Sequence, residues 1–371
     1  MTIPFLTLAR QVAGLRAELA SALEAVVDSQ GFANGPAVAA FEQELARYLG
    51  VREVVAVNNG TSALHAALVA AGVGPGDEVI TVAHTWISTA WAVSYVGAKP
   101  VFVDVDPATC GIDAGWIEKA LGPRTRAILP VHLYGHPVDL DPVLELAARH
   151  GIPVIEDCAQ SIGARYKGRM TGGFGLVNAT SFYPGKNLGA FGEAGAVLTD
   201  DAGIAARVRR LRDHAQDGRH NHVELGFNWR MDGFQGAVLS VKLQHLERWN
   251  ARRAEIARFY LTGLAGLAGL TLPRPQPWAE PIWHIFPVYH ERRDALRAAL
   301  DERGVETSVH YPRPVHLQPA YAHLGLGPGA FPVSEQLARS EISLPMFPEL
   351  TDGEAERVVR AVREACRSVG R

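Results

Sequence analysis

The chain has 371 residues and a formal net charge of -3, and its composition is 47% hydrophobic and 20% charged. These values are ordinary for a soluble globular protein, and the length suffices for one large domain and a smaller one. Acidic and basic residues are spread along the chain, so we expect neither nucleic acid nor a membrane surface as a partner. The sequence has no run of 18 apolar residues and no charged leader before an apolar stretch, which predicts no membrane span and no signal peptide.

Cysteine usage indicates the compartment in which the protein works. The three cysteines are far apart and odd in number, namely Cys110, Cys158 and Cys366. This usage fits a reducing cytoplasm and argues against a disulfide framework or a zinc site built on a CxxC pair. We therefore expect a cytoplasmic protein without a metal site.

Short apolar segments alternate with helical segments through the first two thirds of the chain. Strands are predicted at residues 54–57 and 152–155, among others, with amphipathic helices between them. This alternation predicts an α/β fold with a mostly parallel central sheet and flanking helices. One long helix is predicted from residue 232 to about residue 261, and the pattern then changes to that of a smaller C-terminal α+β domain. We place the large domain at residues 1–250 and the small domain at residues 251–371.

Two residues stand out at loops that should lie at the ligand-binding edge of the sheet. Asp157 follows the apolar run at residues 152–155, and Lys186 lies in a glycine-flanked loop. Pyridoxal phosphate needs such a pair, because a lysine amine forms a Schiff base with its aldehyde and a carboxylate holds its ring nitrogen protonated. Taken alone, Asp157 could be an ordinary strand-end acid and Lys186 a solvated loop lysine.

A candidate phosphate site precedes the first helix of the sheet region. The strand at residues 54–57 is followed by Gly60, Thr61 and Ser62 and then by an apolar helical segment. A glycine turn with hydroxyl groups at the start of a helix is an anion site, because free N–H groups and the helix dipole converge there. The segment is not a P-loop, since no GKS or GKT follows.

Six segments together resemble the sugar aminotransferases of the DegT/DnrJ/EryC1/StrS family, in the fold type I (aspartate aminotransferase) superfamily of pyridoxal-phosphate-dependent transferases. The resemblance covers nearly the whole chain. Its segments are NNGTSALHAAL, HTWISTAWAVSYVGAKPVFVDVDP, PVHLYGHPVDLDP, IEDCAQSIGARYKGR, SFYPGKNLGAFGEAGAV and GFNWRMDGFQGAV. The order and spacing of these segments make coincidence improbable.

The resemblance implies a role for each residue of a cofactor site. It implies Lys186 as the Schiff-base lysine and Asp157 as the partner of the pyridinium nitrogen. It implies that Trp86 stacks on the cofactor ring, although plain core packing would also explain this residue. The remaining cofactor residues that it implies are Gln160 near the phenolic oxygen, and Gly60, Thr61, Ser62 and Ser181 around the phosphate.

The resemblance also implies a homodimer with shared active sites, because Asn228 matches an asparagine that reaches the phosphate from the neighbouring subunit. Tyr183 beside the lysine loop is a candidate acid/base group or partner of a sugar hydroxyl. Arg230 is a candidate for the donor carboxylate or the substrate diphosphate, or it is an interface residue. His310, His316 and His323 lie in a proline-rich segment and are substrate candidates, with structural roles as the alternative.

The resulting hypothesis is a pyridoxal-phosphate-dependent transaminase that moves an amino group from an amino acid, best L-glutamate, to a nucleotide-linked keto sugar. The best candidate substrate is a dTDP-3-keto-6-deoxyhexose. One alternative is C4 amination of an NDP-4-keto-6-deoxyhexose, and another is a non-catalytic binding or regulatory protein of the same fold. A nicotinamide-binding Rossmann protein is a weak alternative, since no GxGxxG follows the first strand.

Overall fold

A computed structural model describes residues 2–370, in which helices and strands alternate through most of the chain. The helices are α1 (Ala9–Ser29), α2 (Gly35–Leu49), α3 (Gly60–Ala70), α4 (Ile87–Tyr95), α5 (Ala114–Ala120), α6 (Leu140–His150), α7 (Ala202–Arg212), α8 (Gly233–Leu243), α9 (Leu246–Gly263), α10 (Arg293–Glu302), α11 (Pro332–Ser340) and α12 (Asp352–Val369). The strands are β1 (Glu53–Val57), β2 (Glu78–Val82), β3 (Lys99–Val103), β4 (Thr125–Leu129), β5 (Arg165–Tyr166), β6 (Arg169–Met170), β7 (Asn178–Ser181), β8 (Gly195–Thr199), β9 (Ala279–Glu280), β10 (Phe286–Tyr289) and β11 (Glu341–Leu344).

The central sheet confirms the predicted α/β architecture. Strand β2 pairs in parallel with β3 and β4, while β8 runs antiparallel to both β7 and β1. The segment at residues 154–157 joins the two groups, because it makes parallel bridges to β4 and its extension on one side and to β7 on the other. The spatial order is therefore β3, β2, β4, residues 154–157, β7, β8, β1. Helices α3, α4 and α7 pack against this sheet.

The strand predicted at residues 152–155 lies two residues further along the chain. Its pairing begins at Val154 and ends at Asp157, whose N–H donates to the Pro130 carbonyl at 2.9 Å. Pro130 and Pro153 have no N–H, so each removes one donor from the ladder and leaves isolated bridges in place of a regular strand. The shift places Asp157 inside the sheet, at the end of its pairing, where its position is fixed from both sides.

The long helix predicted from residue 232 is two helices, which corrects that prediction. Helix α8 ends at Leu243, and α9 begins at Leu246 after a tighter turn in which the His245 N–H donates to the Lys242 carbonyl at 3.1 Å. Helix α9 then continues without interruption through residue 250. The proposed boundary between residues 1–250 and 251–371 thus falls within a continuous helix, and the two-domain division stays a prediction.

The C-terminal part is built on the antiparallel pair β10–β11, with α10 against β11, α11 against β10, and α12 packed on α10. Its apolar core includes the very beginning of the chain, because Ile3 is completely buried there and forms a parallel bridge with Val305. Helix α12 begins with a capping box, in which Thr351 and Glu354 satisfy each other's backbone N–H groups. No helix within residues 2–370 is both long and apolar enough to cross a bilayer.

Candidate active site

A cavity of about 880 Å³ lies where several strands of the central sheet end, against the C-terminal part of the chain. The carboxyl ends of parallel strands are the expected ligand edge of such a sheet. Ten of the predicted site residues line the cavity, namely Gly60, Thr61, Ser62, Trp86, Asp157, Gln160, Ser181, Tyr183, Lys186 and His310. The four that do not line it are Asn228, Arg230, His316 and His323.

Lys186 extends from the loop that connects β7 to β8. Its N–H donates to the Tyr183 carbonyl at 2.8 Å, and a β-carbon at Gly189 would lie 2.2 Å from the Pro184 oxygen, so the loop is tightly folded. Surrounding protein removes water from the amine and lowers the pKa of Lys186 to about 8, with Asp157 opposing the shift. The amine is therefore more readily deprotonated, and more nucleophilic near neutral pH, than an ordinary lysine.

Asp157 is a buried carboxylate with hydrogen-bond donors around it. Thr89 Oγ1 donates to Oδ2 at 2.9 Å, and the Ala159 N–H donates to Oδ1 at 3.1 Å. Burial raises the pKa of Asp157, and these hydrogen bonds together with Lys186 oppose the rise. The charges of Lys186 and His132 act on this carboxylate, but among residues 2–370 its hydrogen bonds come from Thr89 and Ala159 and none comes from a basic side chain. The site therefore favours a ligand that brings a positive charge to Asp157.

The neighbouring Glu156 points to the other side of the segment, as the alternation of strand side chains predicts. It accepts N–H bonds from Gly172, Phe174 and Gly175 at 2.7–2.9 Å, and it lies 3.0 Å from His132 Nε2. Burial alone would raise the pKa of Glu156, but these bonds bring it below its ordinary value. Glu156 therefore anchors the glycine-rich turn beneath the cavity.

His132, Glu156 and Cys158 lie close enough together to be considered as metal ligands. Both nitrogens of His132 are already occupied, because Nδ1 accepts the Val138 N–H at 3.0 Å and Nε2 therefore carries the proton that is donated to Glu156. A protonated Nε2 cannot bind a metal ion. The cluster is explained as a hydrogen-bond network, and the absence of a metal site stays a prediction.

The first turn of α3 forms the candidate phosphate cradle. The side chain of Asn59 caps the helix by accepting the Ser62 N–H at 2.8 Å, and Thr61 Oγ1 donates to Ser88 Oγ at 2.9 Å. The first N–H groups of a helix have no partner inside it and are directed at any anion bound there. Ser181, at the end of β7, completes the wall, since its Cβ lies 2.5 Å from where a β-carbon of Gly60 would be.

Gln160 is held at both ends of its amide. Its Oε1 accepts the Tyr134 N–H at 2.6 Å, and its Nε2 donates to the Tyr311 hydroxyl at 3.1 Å. The Tyr311 ring in turn lies 5.2 Å from that of Trp86, whose side chain is 54% exposed. Tyr311 and Thr89 were not among the predicted residues. For Tyr311 a signal existed, since it directly follows His310 in the proline-rich segment.

The three histidines of the proline-rich segment occupy three different environments. His310 lines the cavity and bonds Ser343 Oγ through Nδ1 at 2.7 Å. His316 is buried elsewhere, with Nε2 3.3 Å from Glu335 Oε1. His323 lines a separate surface cleft beside Tyr321. Of these three histidines, His310 alone is therefore positioned to contact a ligand in the cavity.

Comparison with known proteins assigns the chain to a family. Residues 14–363 match the DegT/DnrJ/EryC1/StrS aminotransferase family. The chain belongs to this family. It is 49% identical to a dTDP-3-amino-3,4,6-trideoxy-alpha-D-glucose transaminase of Streptomyces venezuelae over 98% of this chain and 96% of that one. It is 47% identical to the "Erythromycin biosynthesis sensory transduction protein EryC1" of Saccharopolyspora erythraea, over 98% and 99% of the two chains.

The crystal structure of S. venezuelae DesV in complex with a ketimine intermediate superposes on this DegT/DnrJ/EryC1/StrS chain with a TM-score of 0.96. The two sequences are 49% identical, and the match covers 98% of each chain. The predicted family and fold are therefore confirmed.

The residues present fit the cofactor expected of a DegT/DnrJ/EryC1/StrS aminotransferase, pyridoxal phosphate. Lys186 offers an amine of lowered pKa, and Asp157 offers a buried carboxylate held by hydrogen bonds from Thr89 and Ala159. The first turn of α3 offers N–H groups beside Ser181, whose close approach the absence of a side chain at Gly60 permits. An amine, a carboxylate and an anion cradle on one cavity match the aldehyde, the ring nitrogen and the phosphate.

Asn228 and Arg230 remain outside the lining of this chain's own cavity. Arg230 donates to Asp213 Oδ1 at 2.8 Å and to Asn228 Oδ1 at 3.0 Å, so the two side chains form one polar cluster with Asp213. The placement of Asn228 is what a contribution to a neighbouring subunit would require. That contribution stays a prediction for this chain.

Proposed function

We propose that this chain is a pyridoxal-phosphate-dependent transaminase that moves the amino group of L-glutamate to C3 of a dTDP-3-keto-6-deoxyhexose. The observation that carries the proposal is one cavity lined both by Lys186, an amine of lowered pKa, and by Asp157, a buried carboxylate that no basic side chain hydrogen-bonds among the described residues. The three cysteines are free and buried, which fits work in the reducing cytoplasm.

When bound, pyridoxal phosphate supplies an electron-withdrawing ring conjugated to the substrate nitrogen. Asp157 would hold the ring nitrogen, and the first turn of α3 would hold the phosphate. Lys186 then moves a proton to and from the substrate carbon that carries the amine, because a pKa of about 8 suits both directions near neutral pH. Tyr183, on the same loop and 56% exposed, offers its hydroxyl to the sugar.

Amination at C3 is favoured over amination at C4 by the Streptomyces venezuelae relative, whose name specifies a 3-amino sugar. The C4 reaction on an NDP-4-keto-6-deoxyhexose remains the alternative, because the residues around Lys186 and Asp157 would serve either reaction. A regulatory role is suggested by the name of the Saccharopolyspora erythraea relative. The present chain keeps Lys186 and Asp157 on one cavity, which supports catalysis.

We also propose that the working form is a homodimer with shared active sites. The cavity wall includes large aromatic side chains that stay exposed in the single chain, namely Trp86, Trp91, Tyr95 and Tyr183, which are 37–56% exposed. Exposed aromatic clusters are typical of protein interfaces. A second copy that covers them would bring a polar cluster such as that of Asn228 and Arg230 to the open side of the cavity.

The test is an absorbance spectrum of the purified protein with pyridoxal phosphate, before and after addition of L-glutamate. We expect a visible band that glutamate bleaches in the wild type, and an altered spectrum without bleaching in Lys186→Ala. Lys167→Ala is the matched control, because this lysine is exposed and pairs with Asp141 away from the cavity. The absence of a band in cofactor-saturated wild type would overturn the proposal.

The carbon that is aminated is tested separately, with the 3-keto and 4-keto sugar nucleotides as acceptors. We expect the 3-keto sugar to restore the visible band after bleaching and to give a 3-amino product by NMR. Restoration only by the 4-keto sugar would establish the alternative reaction.

A further inference from the structure

His310 belongs to a closed ring of hydrogen bonds with two fully buried residues of β11. Its Nδ1 lies 2.7 Å from Ser343 Oγ, and Ser343 Oγ lies 2.5 Å from Glu341 Oε1. The ring closes because the backbone N–H of His310 donates to Glu341 Oε2 at 2.6 Å. Glu341 and Ser343 have no exposed surface. One carboxylate therefore holds both the backbone and, through a hydroxyl, the imidazole of a residue on the cavity wall.

The position of the proton on the His310 imidazole follows from counting the donors and acceptors in this closed set of hydrogen bonds. A backbone N–H can only donate, so Glu341 Oε2 accepts from His310. An ionised carboxylate can only accept, so the single proton of the Ser343 hydroxyl is directed at Oε1. The Ser343 oxygen then has only lone pairs for His310, and Nδ1 must carry the proton. Nε2, which has no hydrogen-bond partner among residues 2–370, is left with a free lone pair.

We propose that Glu341, acting through the Ser343 hydroxyl, is a positioning residue that keeps the proton of His310 on Nδ1 and leaves Nε2 as a hydrogen-bond acceptor for a sugar hydroxyl in the cavity. The inference rests on the proposed function, since the keto sugar is the source of that hydroxyl. It adds to that function a reason why the acceptor is uncharged and why it is present while Glu341 is ionised.

The surroundings keep His310 neutral, so the position of its single proton matters. Burial, together with the charge of the nearby Lys186, lowers the pKa of His310 to about 4. Neutral imidazole has one donor and one acceptor, and only a neighbouring group can decide which nitrogen is which. Ser343 and Glu341 are the neighbours in contact with Nδ1, directly or in series.

The same ring predicts a pH-dependent reversal. Burial raises the pKa of Glu341 to about 7, while Ser343 and the His310 N–H oppose the rise. Once Glu341 is protonated on Oε1, it donates to Ser343, Ser343 donates to Nδ1, and Nε2 carries the proton. Two cations of α10, Arg293 and Arg297, also face Glu341. The remaining groups that face it are neutral because the pKa of each is raised, namely Cys110, Tyr134, Tyr289 and Tyr311.

Nitrogen NMR of protein labelled with [15N]histidine reads the tautomer directly. The His310 signals are identified as those missing from His310→Gln. At pH 8 we expect a protonated Nδ1 and an unprotonated Nε2 in the wild type, and the reverse at pH 6. An unprotonated Nδ1 at pH 8 would overturn the proposal.

Glu341→Gln is the decisive variant, because the amide has the shape of the carboxylate but an added donor. Its oxygen must accept the His310 N–H, so its NH2 faces Ser343, and Ser343 must then donate to Nδ1. We expect the Nε2–H tautomer at pH 8 in this variant. In Ser343→Ala, which serves if Glu341→Gln does not fold, we expect both tautomers. Retention of the wild-type tautomer in either variant would contradict the proposal.

Kinetics separate this inference from the proposed function. We expect Glu341→Gln to raise KM for the keto sugar about tenfold, because the sugar loses one hydrogen bond to Nε2 of His310. We expect the rate of the glutamate half-reaction to stay within about twofold of wild type. Glu335→Gln is the matched control, because Glu335 is also a buried acid beside a histidine, His316, but outside the cavity. An unchanged KM in Glu341→Gln would overturn the role for the sugar. Failure of wild type to react with glutamate would overturn the proposed function, and the tautomer measurement would still stand.

Discussion

Gly60 and Ser181 approach so closely that a β-carbon on residue 60 would lie 2.5 Å from the Cβ of Ser181. The contact brings the first turn of α3 against the end of β7, so that two segments far apart in the chain form one wall of the cavity. A separation under 3 Å between such carbons does not occur without movement of the backbone.

Gly60→Ala therefore tests the phosphate cradle. We expect the added methyl group to force α3 and β7 apart and to weaken pyridoxal phosphate binding at least about tenfold, a loss of about 1.4 kcal/mol. The measurement is a titration of the apoprotein followed by the visible band. Gly14→Ala is the control, because nothing lies within 4 Å of its β-carbon. Equal cofactor affinity in the two variants would contradict the cradle.

The lowered pKa of Lys186 predicts a pH dependence of cofactor capture. Only the deprotonated amine attacks an aldehyde, so the rate at which the apoprotein gains its visible band should rise with pH and level off above about pH 8. An ordinary lysine, with a pKa of about 10.5, would give a rate that still rises steeply between pH 8 and 10. Stopped-flow absorbance across pH 6–10 distinguishes the two cases.

Thr89→Val tests the hydrogen bond between the Thr89 hydroxyl and the Asp157 carboxylate. The variant removes the hydroxyl that donates to Oδ2 at 2.9 Å, so the pKa of Asp157 should rise further and cofactor affinity should fall by about 1–2 kcal/mol. Thr180→Val is the matched control, because its buried hydroxyl donates to the Cys158 carbonyl. Both variants should lose similar folding stability, and only Thr89→Val should shift the pH dependence of the visible band.

Glu156→Gln should destabilise the fold by about 3 kcal/mol, because a buried acceptor of three N–H bonds and of His132 loses its charge. The pKa of Glu156 is lowered in the folded protein, so the stability it contributes is complete above the ordinary value of 4.5 and is lost as the pH falls below it. Urea unfolding at pH 7 and pH 4 measures this difference. The exposed Glu145→Gln should stay within about 0.5 kcal/mol of wild type at both pH values.

His310 and His316 should respond oppositely to substitution. His316→Ala removes a buried ring that packs edge-on against Phe331 at 4.7 Å, so it should cost about 2 kcal/mol of stability and leave KM for the sugar unchanged. His310→Gln should raise KM for the sugar with a smaller effect on stability. Thermal unfolding and steady-state kinetics on both variants provide the comparison, and a raised KM in the His316 variant would contradict it.

The parts of the site that could be predicted from sequence are those marked by local patterns. Lys186 lies between glycines, Asp157 ends an apolar run, and Gly60 opens a helix after a strand. Each signal lies within a few neighbouring residues. The resemblance to a family then implied that these residues together bind one cofactor. The α/β alternation was readable for the same reason, since strand and helix periods are local properties.

The rest depends on contacts between distant segments. Thr89 contacts Asp157 only because α4 and the segment at residues 154–157 lie side by side in the fold. No local sequence pattern around Thr89 predicts this contact. Glu341 carries no local signal of a role, and only the folded chain brings β11 beside the segment that carries His310. The division of the predicted long helix at Gln244 and His245 was missed because neither residue is a glycine or proline, the usual signals of a break.

The bridge between Ile3 and Val305 has a consequence for synthesis of the protein on the ribosome. Ile3 is synthesised long before Val305, and residues of α12, which follows Val305 in the chain, belong to the same apolar core. The segment around Ile3 therefore has no partner until Val305 has been made, by which time every strand of the central sheet has already been synthesised.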